Sequence, residues 1–127
     1  VDIRSWDDDL ALRAWDDLQR DCRQIAQKRG CPIAIEETWR VAHSPFEERL
    51  VQRVLQTAEG LGYSSLPMVS GAGHDASYMN QIAPTAMIFV PSIGGRSHVE
   101  VEKTRWEDCE AGANVLLHCL LRSANEG

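Results

Sequence analysis

Residues 70–104 read SGAGHDASYMNQIAPTAMIFVPSIGGRSHVEVEKT, two Gly-rich loops that each carry a histidine and that flank one apolar run. The run Thr85-Ala86-Met87-Ile88-Phe89-Val90 has no apolar/polar alternation, the pattern of a strand covered on both faces in a parallel sheet with helices on either side. It predicts an α/β fold. The loop Gly71-Ala72-Gly73-His74-Asp75 then falls between a short strand at Pro67-Met68-Val69 and a helix starting near Asp75, with Tyr78, Met79 and Ile82 turned inward. Downstream, Thr104-Arg105-Trp106-Glu107 has the form of a capping box. Trp106, Cys109, Ala113, Leu116, Leu117, Leu120 and Leu121 supply the apolar stripe of a closing helix.

Upstream, Ser44-Pro45-Phe46-Glu47 combines an N-cap, a proline at the first helical position and a capping-box Glu. Leu50, Val51, Val54, Leu55, Ala58 and Leu61 follow at helical spacing, and Gly60 and Gly62 end that helix. At the start of the chain, Val1–Ile3 and Ile33–Arg40 are β-prone and bracket a long amphipathic helix. Ser5 and Asp8 suggest its capping box, Ala11, Ala14, Trp15, Leu18, Cys22, Ile25 and Ala26 its apolar stripe, and Lys28-Arg29-Gly30 its stop. Strand, helix, strand is half of a small α+β sandwich. The change of style near Val41–Pro45 marks the domain boundary, and the opening Val-Asp-Ile-Arg reads as a strand already in progress, so an excised or truncated piece is expected.

Composition bounds the function. At 127 residues, 43% hydrophobic and 25% charged, the chain has the make-up of one globular domain. A net charge of −6 leaves no basic surface to neutralise phosphates, which argues against nucleic acid as a partner. The longest apolar run, Ala83 to Pro91, falls far short of the roughly 20 residues of a membrane span. With no signal segment, a cytoplasmic location away from membranes is expected. Cys22, Cys31, Cys109 and Cys119 form no C-x-x-C pair and are expected as reduced, buried thiols.

Three groups are candidates for chemistry. A Gly-rich turn between strand and helix lets backbone amides approach a ligand, and His74 and Asp75 sit in one; the alternative is an ordinary tight turn with Asp75 capping its helix. His98, between Gly94-Gly95 and the acids Glu100 and Glu102, is a possible ligand for zinc or manganese that a neighbouring carboxylate orients, or a solvated loop histidine, since catalytic zinc takes three protein ligands. Arg4, after a strand and before a capped helix, has a guanidinium suited to gripping a carboxylate; the alternative is pairing with Asp2 or with Asp7–Asp9. His43 and His118 read as structural. Ser70 lies in no G-x-S-x-G elbow, so covalent catalysis has no support.

Taken in order, VDIRS at 1–5, VSGAGHDA at 69–76 and MIFVPSIGGRSHVEVEKT at 87–104 resemble the hydantoinase/carbamoylase branch of the M20 metallopeptidase superfamily. That branch holds N-carbamoyl-L-amino-acid hydrolases, allantoate amidohydrolases and β-ureidopropionases. The resemblance implies a zinc-exopeptidase-like α/β catalytic domain carrying an inserted, ferredoxin-like α+β lid or dimerisation domain. Residues 1–42 would be the strand–helix–strand remnant of the lid, and 43–127 the C-terminal part of the catalytic domain. It further implies that His98 is a metal ligand, that Arg4 grips the substrate carboxylate, and that Gly73 and His74 contact the substrate near the scissile amide, with His74 stabilising the tetrahedral intermediate. Glu102 and Asp75 match motif acids expected to support those groups. Where the family usually continues with Asn after Ser-His, this chain has Val99.

The implied reaction is hydrolysis of a carbamoyl or related linear amide by hydroxide bound to two divalent ions, zinc or manganese, in the intact enzyme. The family's other ligands and its general-base glutamate have no counterpart in these 127 residues. This chain alone is therefore expected to hold little or no metal, to be inactive, and to self-associate as a homodimer or larger assembly. The competing readings are a non-catalytic dimerising or ligand-binding module, and a peptidase or aminoacylase of the wider superfamily.

Overall fold

The computed structural model describes residues 1–125 and contains four α-helices, α1 (Asp8–Arg29), α2 (Glu48–Gly60), α3 (Asp75–Met79) and α4 (Trp106–Asn125), with one 3₁₀ turn at Ile93–Gly95. The chain divides into two compact units: Val1–Pro45 with Val69–Gly73, and Phe46–Met68 with the residues from His74 onward.

The first unit is built on α1. Its N-cap is Asp7, whose Oδ1 accepts the Leu10 N–H at 3.0 Å, while Ser5 Oγ accepts the Asp7 N–H. The cap thus lies two residues beyond the expected Ser5, because a carboxylate at the helix start satisfies an orphan amide and also meets the positive end of the dipole. At the other end Gly30 takes a left-handed φ of 64°, and the Cys31 N–H returns to Ala26 O at 3.0 Å, a Schellman-type close. Ala11, Ala14, Trp15, Leu18, Cys22 and Ala26 are half-buried and Ile25 is exposed. The predicted stripe is therefore the packed face, although no residue of α1 is fully buried. Segment 31–45 is tied back where the His43 N–H donates to the Asp8 carboxylate at 2.9 Å.

The second unit packs α2 against α4 around Ala58, Val115 and Cys119, with Val54, Leu61, Tyr63 and Ile88 against them. Helix α2 begins at Glu48 rather than after Ser44: Glu47 is its N-cap and is extended (φ −62°, ψ 114°), and its N–H, one of the amides a helix start leaves without an internal partner, donates to Thr85 O at 3.1 Å. Thr57, 1% exposed, is satisfied by Arg122 Nη1 at 3.2 Å, and Tyr63 Oη accepts from Asn114 at 3.2 Å. No helix among the described residues is long and apolar enough to cross a membrane.

Several expectations are corrected. Among the described residues no strand ladder forms, so 1–3, 33–40, 67–69 and 85–90 are non-helical segments, and neither the strand–helix–strand unit nor the α/β sheet is made by this chain's own hydrogen bonds. A strand exists only through a partner's backbone, whereas a helix satisfies itself. The stripe on α4 is displaced: Val115 and Cys119 are buried, while Trp106, Leu116, Leu117, Leu120 and Leu121 are exposed, since α2 covers only a narrow strip. Tyr78, Met79 and Ile82 are also exposed rather than inward, and Cys31 is exposed where a buried thiol was expected. Alternate residues of 85–90, Ala86, Ile88 and Val90, line an apolar groove of about 530 Å³ with Val54, Leu116 and Leu120.

One glycine decides the α4 contact. A Cβ built on Gly112, in the middle of α4, would lie 2.5 Å from Val90 Cγ1, and Val is stiff at χ1. Gly112→Ala would ordinarily gain about 1 kcal/mol of helix propensity. Overpacking costs about 1–3 kcal/mol, so urea unfolding is expected to show a net loss of stability. In a Val90→Ala background the same change is expected to stabilise, and a gain in both backgrounds would refute the contact.

Candidate functional site

Arg4 lies in the non-helical segment before α1. Its Nε and Nη2 donate to the same oxygen, Asp2 Oδ2, at 2.9 and 2.6 Å, and its Nη1 donates to Gly71 O at 3.0 Å. The pairing with Asp2, one of the alternatives legible in the sequence, is thus formed, and three of the five N–H groups are used. The Arg4 hydrogen bond holds the Asp2 carboxyl below its usual value of 3.8, and Asp2 raises Arg4 in turn. Within loop 69–73 the Ala72 N–H donates to Ser70 Oγ at 3.2 Å. A Cβ on Gly71 would sit 3.8 Å from Arg4 Cδ, and one on Gly73 would sit 4.0 Å from Trp39 Cη2, both ordinary contacts. No backbone strain or internal crowding in the chain accounts for glycine at either position.

His74 is the residue before α3, and its carbonyl accepts the Ser77 N–H at 3.0 Å. Its ring meets Phe89 edge-on, with centroids 5.4 Å apart and planes inclined at 67°. Asp75 is the first residue of α3, where its charge suits the dipole, and is not the cap. Phe89 was not legible as a site residue, because it is hidden in an apolar run 15 positions from its partner.

His98 sits in the loop after 85–90. That loop is closed at its base by the Ile93 N–H to Lys103 O at 2.8 Å, and Ser92 Oγ donates to Arg96 O. Three of its residues are left-handed: Gly94 at φ 70°, Gly95 at φ 64° and His98 at φ 59°. Glycine fills two of these positions and a histidine the third. The sequence reading allowed a carboxylate to orient the imidazole through a ring nitrogen; instead Glu102 Oε2 accepts the His98 backbone N–H at 2.8 Å, and the Glu102 N–H closes on Val99 O at 2.9 Å.

The structure therefore brings Arg4 to Asp2 and Gly71, His74 to Phe89, and His98 to Glu102. Among the described residues no three His, Cys, Asp or Glu side chains gather as a metal site. The donor set present does not suit a bound divalent ion, and His98 would be at most one ligand of several.

The sequence pattern of Peptidase family M20/M25/M40 matches residues 9–122. The chain belongs to this family. Among curated relatives it is 40% identical over 98% of its length to an N-carbamoyl-L-amino-acid amidohydrolase from Rhizobium meliloti, and 35% identical, again over 98%, to an allantoate amidohydrolase from Bacillus subtilis. It spans about 30% of the length of each. A crystal structure of an amidase of the hydantoinase/carbamoylase family from Burkholderia multivorans superposes with a TM-score of 0.87 at 42% identity, over 93% of this chain and 29% of that one. These relatives bear out the resemblance to the hydantoinase/carbamoylase branch of M20.

A left-handed non-glycine residue costs about 1–2 kcal/mol, so His98→Gly is expected to raise the urea midpoint by the equivalent of about 1 kcal/mol while His98→Ala does not. Asp2 has a folded-state pKa below its unfolded one, so the pair's contribution is present above the unfolded value and is lost as pH falls through the lower, folded value. A carbon-detected NMR titration should find the Asp2 carboxyl titrating below 3.8, and back at its ordinary value in Arg4→Ala.

Proposed function

We propose that this chain contributes residues to the active site of an amidohydrolase that cleaves a carbamoyl or related linear amide C–N bond in an N-carbamoyl-amino-acid or ureido-acid substrate. The observation that carries this reading is the 40% identity to an N-carbamoyl-L-amino-acid amidohydrolase across 98% of the chain. In this reading residues 1–42 belong to a lid or dimerisation domain and 43–127 to an α/β catalytic domain, in which segment 85–90 is a strand of a sheet.

Arg4 retains one N–H on each of Nη1 and Nη2 beyond the three donors used, which suits two-point binding of the substrate carboxylate. Gly73 and His74 contact the substrate beside the scissile amide, and His74 donates a hydrogen bond to the carbonyl oxygen as charge develops there. His98 contributes a single imidazole to a metal centre, with Glu102 holding its backbone; Asp75 supports the loop that bears His74. The remaining ligands must come from outside the described residues, and the isolated 127-residue chain is expected to be inactive. The exposed leucines of α4 favour self-association as a homodimer, and the setting is the cytoplasm.

The test is hydrolysis of N-carbamoyl-L-amino acids, allantoate, dipeptides and N-acyl-amino acids by the complete gene product that carries this sequence. Turnover of the carbamoyl or ureido acids is expected, with a loss of at least about 100-fold in His98→Ala. Retained activity in that variant would refute the ligand assignment, and preference for dipeptides or N-acyl-amino acids would replace the proposal with a peptidase or aminoacylase. A compact monomer on size-exclusion chromatography would count against self-association.

A further inference from the structure

The Arg4–Asp2 pair poses a question of magnitude. Both side chains are largely in solvent, with exposures of 64% and 65%, and an ion pair of that kind contributes little to folding. Yet the guanidinium is constrained on two sides. Asp2 Oδ2 takes Nε and Nη2, and Gly71 O takes Nη1 from a segment 67 positions away. Asp2 is two residues from Arg4, the spacing that puts side chains on one side of a non-helical backbone, so its grip needs no other packing. An unrestrained arginine must give up rotamer freedom when a ligand binds, whereas a guanidinium already held on two sides has less to give up.

We infer that Asp2 is a positioning residue: with the Gly71 carbonyl it fixes the Arg4 guanidinium so that the remaining N–H on Nη1 and on Nη2 meet a small carboxylate ligand. The inference rests on the proposed role of Arg4 and adds to it a residue that touches no substrate. It competes with a contrary reading of the same contacts, in which Asp2 occupies Arg4 as an internal carboxylate that the ligand must displace. Charge and geometry have separable effects here. Asn at position 2 keeps an oxygen that can accept from Nε and Nη2 but removes the negative charge, whereas Ala removes both.

The experiment compares Asp2→Ala, Asp2→Asn and Arg4→Ala in the complete gene product, with N-carbamoyl-L-alanine and its carboxamide as substrates. For the carboxylate substrate, Asp2→Ala is expected to raise KM about tenfold with kcat nearly unchanged, while Asp2→Asn stays near wild type because orientation survives. For the carboxamide, Asp2→Ala should have little effect. A lower KM in Asp2→Ala or Asp2→Asn would overturn the inference in favour of the competing-carboxylate reading. An unchanged KM in Arg4→Ala would remove the proposed role of Arg4 itself, whereas an effect in Arg4→Ala with none in Asp2→Ala would sink this inference alone. In the 127-residue chain, independently of turnover, the Arg4 Nε–H NMR signal should exchange faster with water in Asp2→Ala than in wild type or Asp2→Asn. Equal exchange in all three would also overturn it.

Discussion

Helix α4 can lie against segment 85–90 because residue 112 has no Cβ: any side chain there would begin 2.5 Å from Val90 Cγ1. Much of the second unit follows from that approach. Val90 ends the segment, and three residues later the Ile93 N–H to Lys103 O bond closes the loop that presents His98. One residue before Val90, Phe89 meets the ring of His74. Both histidines of the candidate site are thus referenced to the same few residues, and these are held by a helix whose buried side chains are Val115 and Cys119. A core this small leaves little stability to lose, so a single methyl group at position 112 has leverage out of proportion to its size.

The helices were legible in the sequence and the strands were not realised, for one physical reason. Each helical N–H finds its acceptor four residues back, so capping residues and periodicity specify α1 largely by themselves; Gly30 stops it as Lys28-Arg29-Gly30 suggested. A strand's acceptors belong to another segment, and the pattern at 85–90 reports only an environment for which that segment is suited. In the structure its even-numbered residues line an apolar groove and Phe89 packs on His74, which is strand-like alternation without a ladder. The helix starts that were misplaced show the same effect in miniature. The Ser44-Pro45 signal is local, whereas Glu47 is an extended N-cap whose N–H donates to Thr85 O, 38 positions away.

The candidate site divides along the same line. Asp2 with Arg4, and Glu102 with His98, are contacts between near neighbours in the chain, and both pairs were among the residues the sequence singled out. What the sequence did not reveal was the atom each carboxylate would hold: Glu102 takes the backbone of His98, not its ring. Phe89 against His74, Gly71 against Arg4 and Gly112 against Val90 join distant positions, and none leaves a signature in spacing or composition. Gly112 even misleads, since an isolated glycine inside a helical pattern reads only as a weak spot.

Orientation and assembly are therefore encoded at different ranges. An i to i+2 or i to i+4 hydrogen bond can set the direction of a guanidinium or the φ of a loop histidine with no core behind it, which is why both devices are formed in a chain with few buried side chains. Collecting three or more ligands around one ion needs several such elements brought to a common point, and that is the work of long-range packing. The described residues have the first kind of order and not the second, for no ligand cluster forms among them. His98 is left-handed where glycine would be unstrained, and in the proposed reading that local strain is offset only when other residues complete the ligand set.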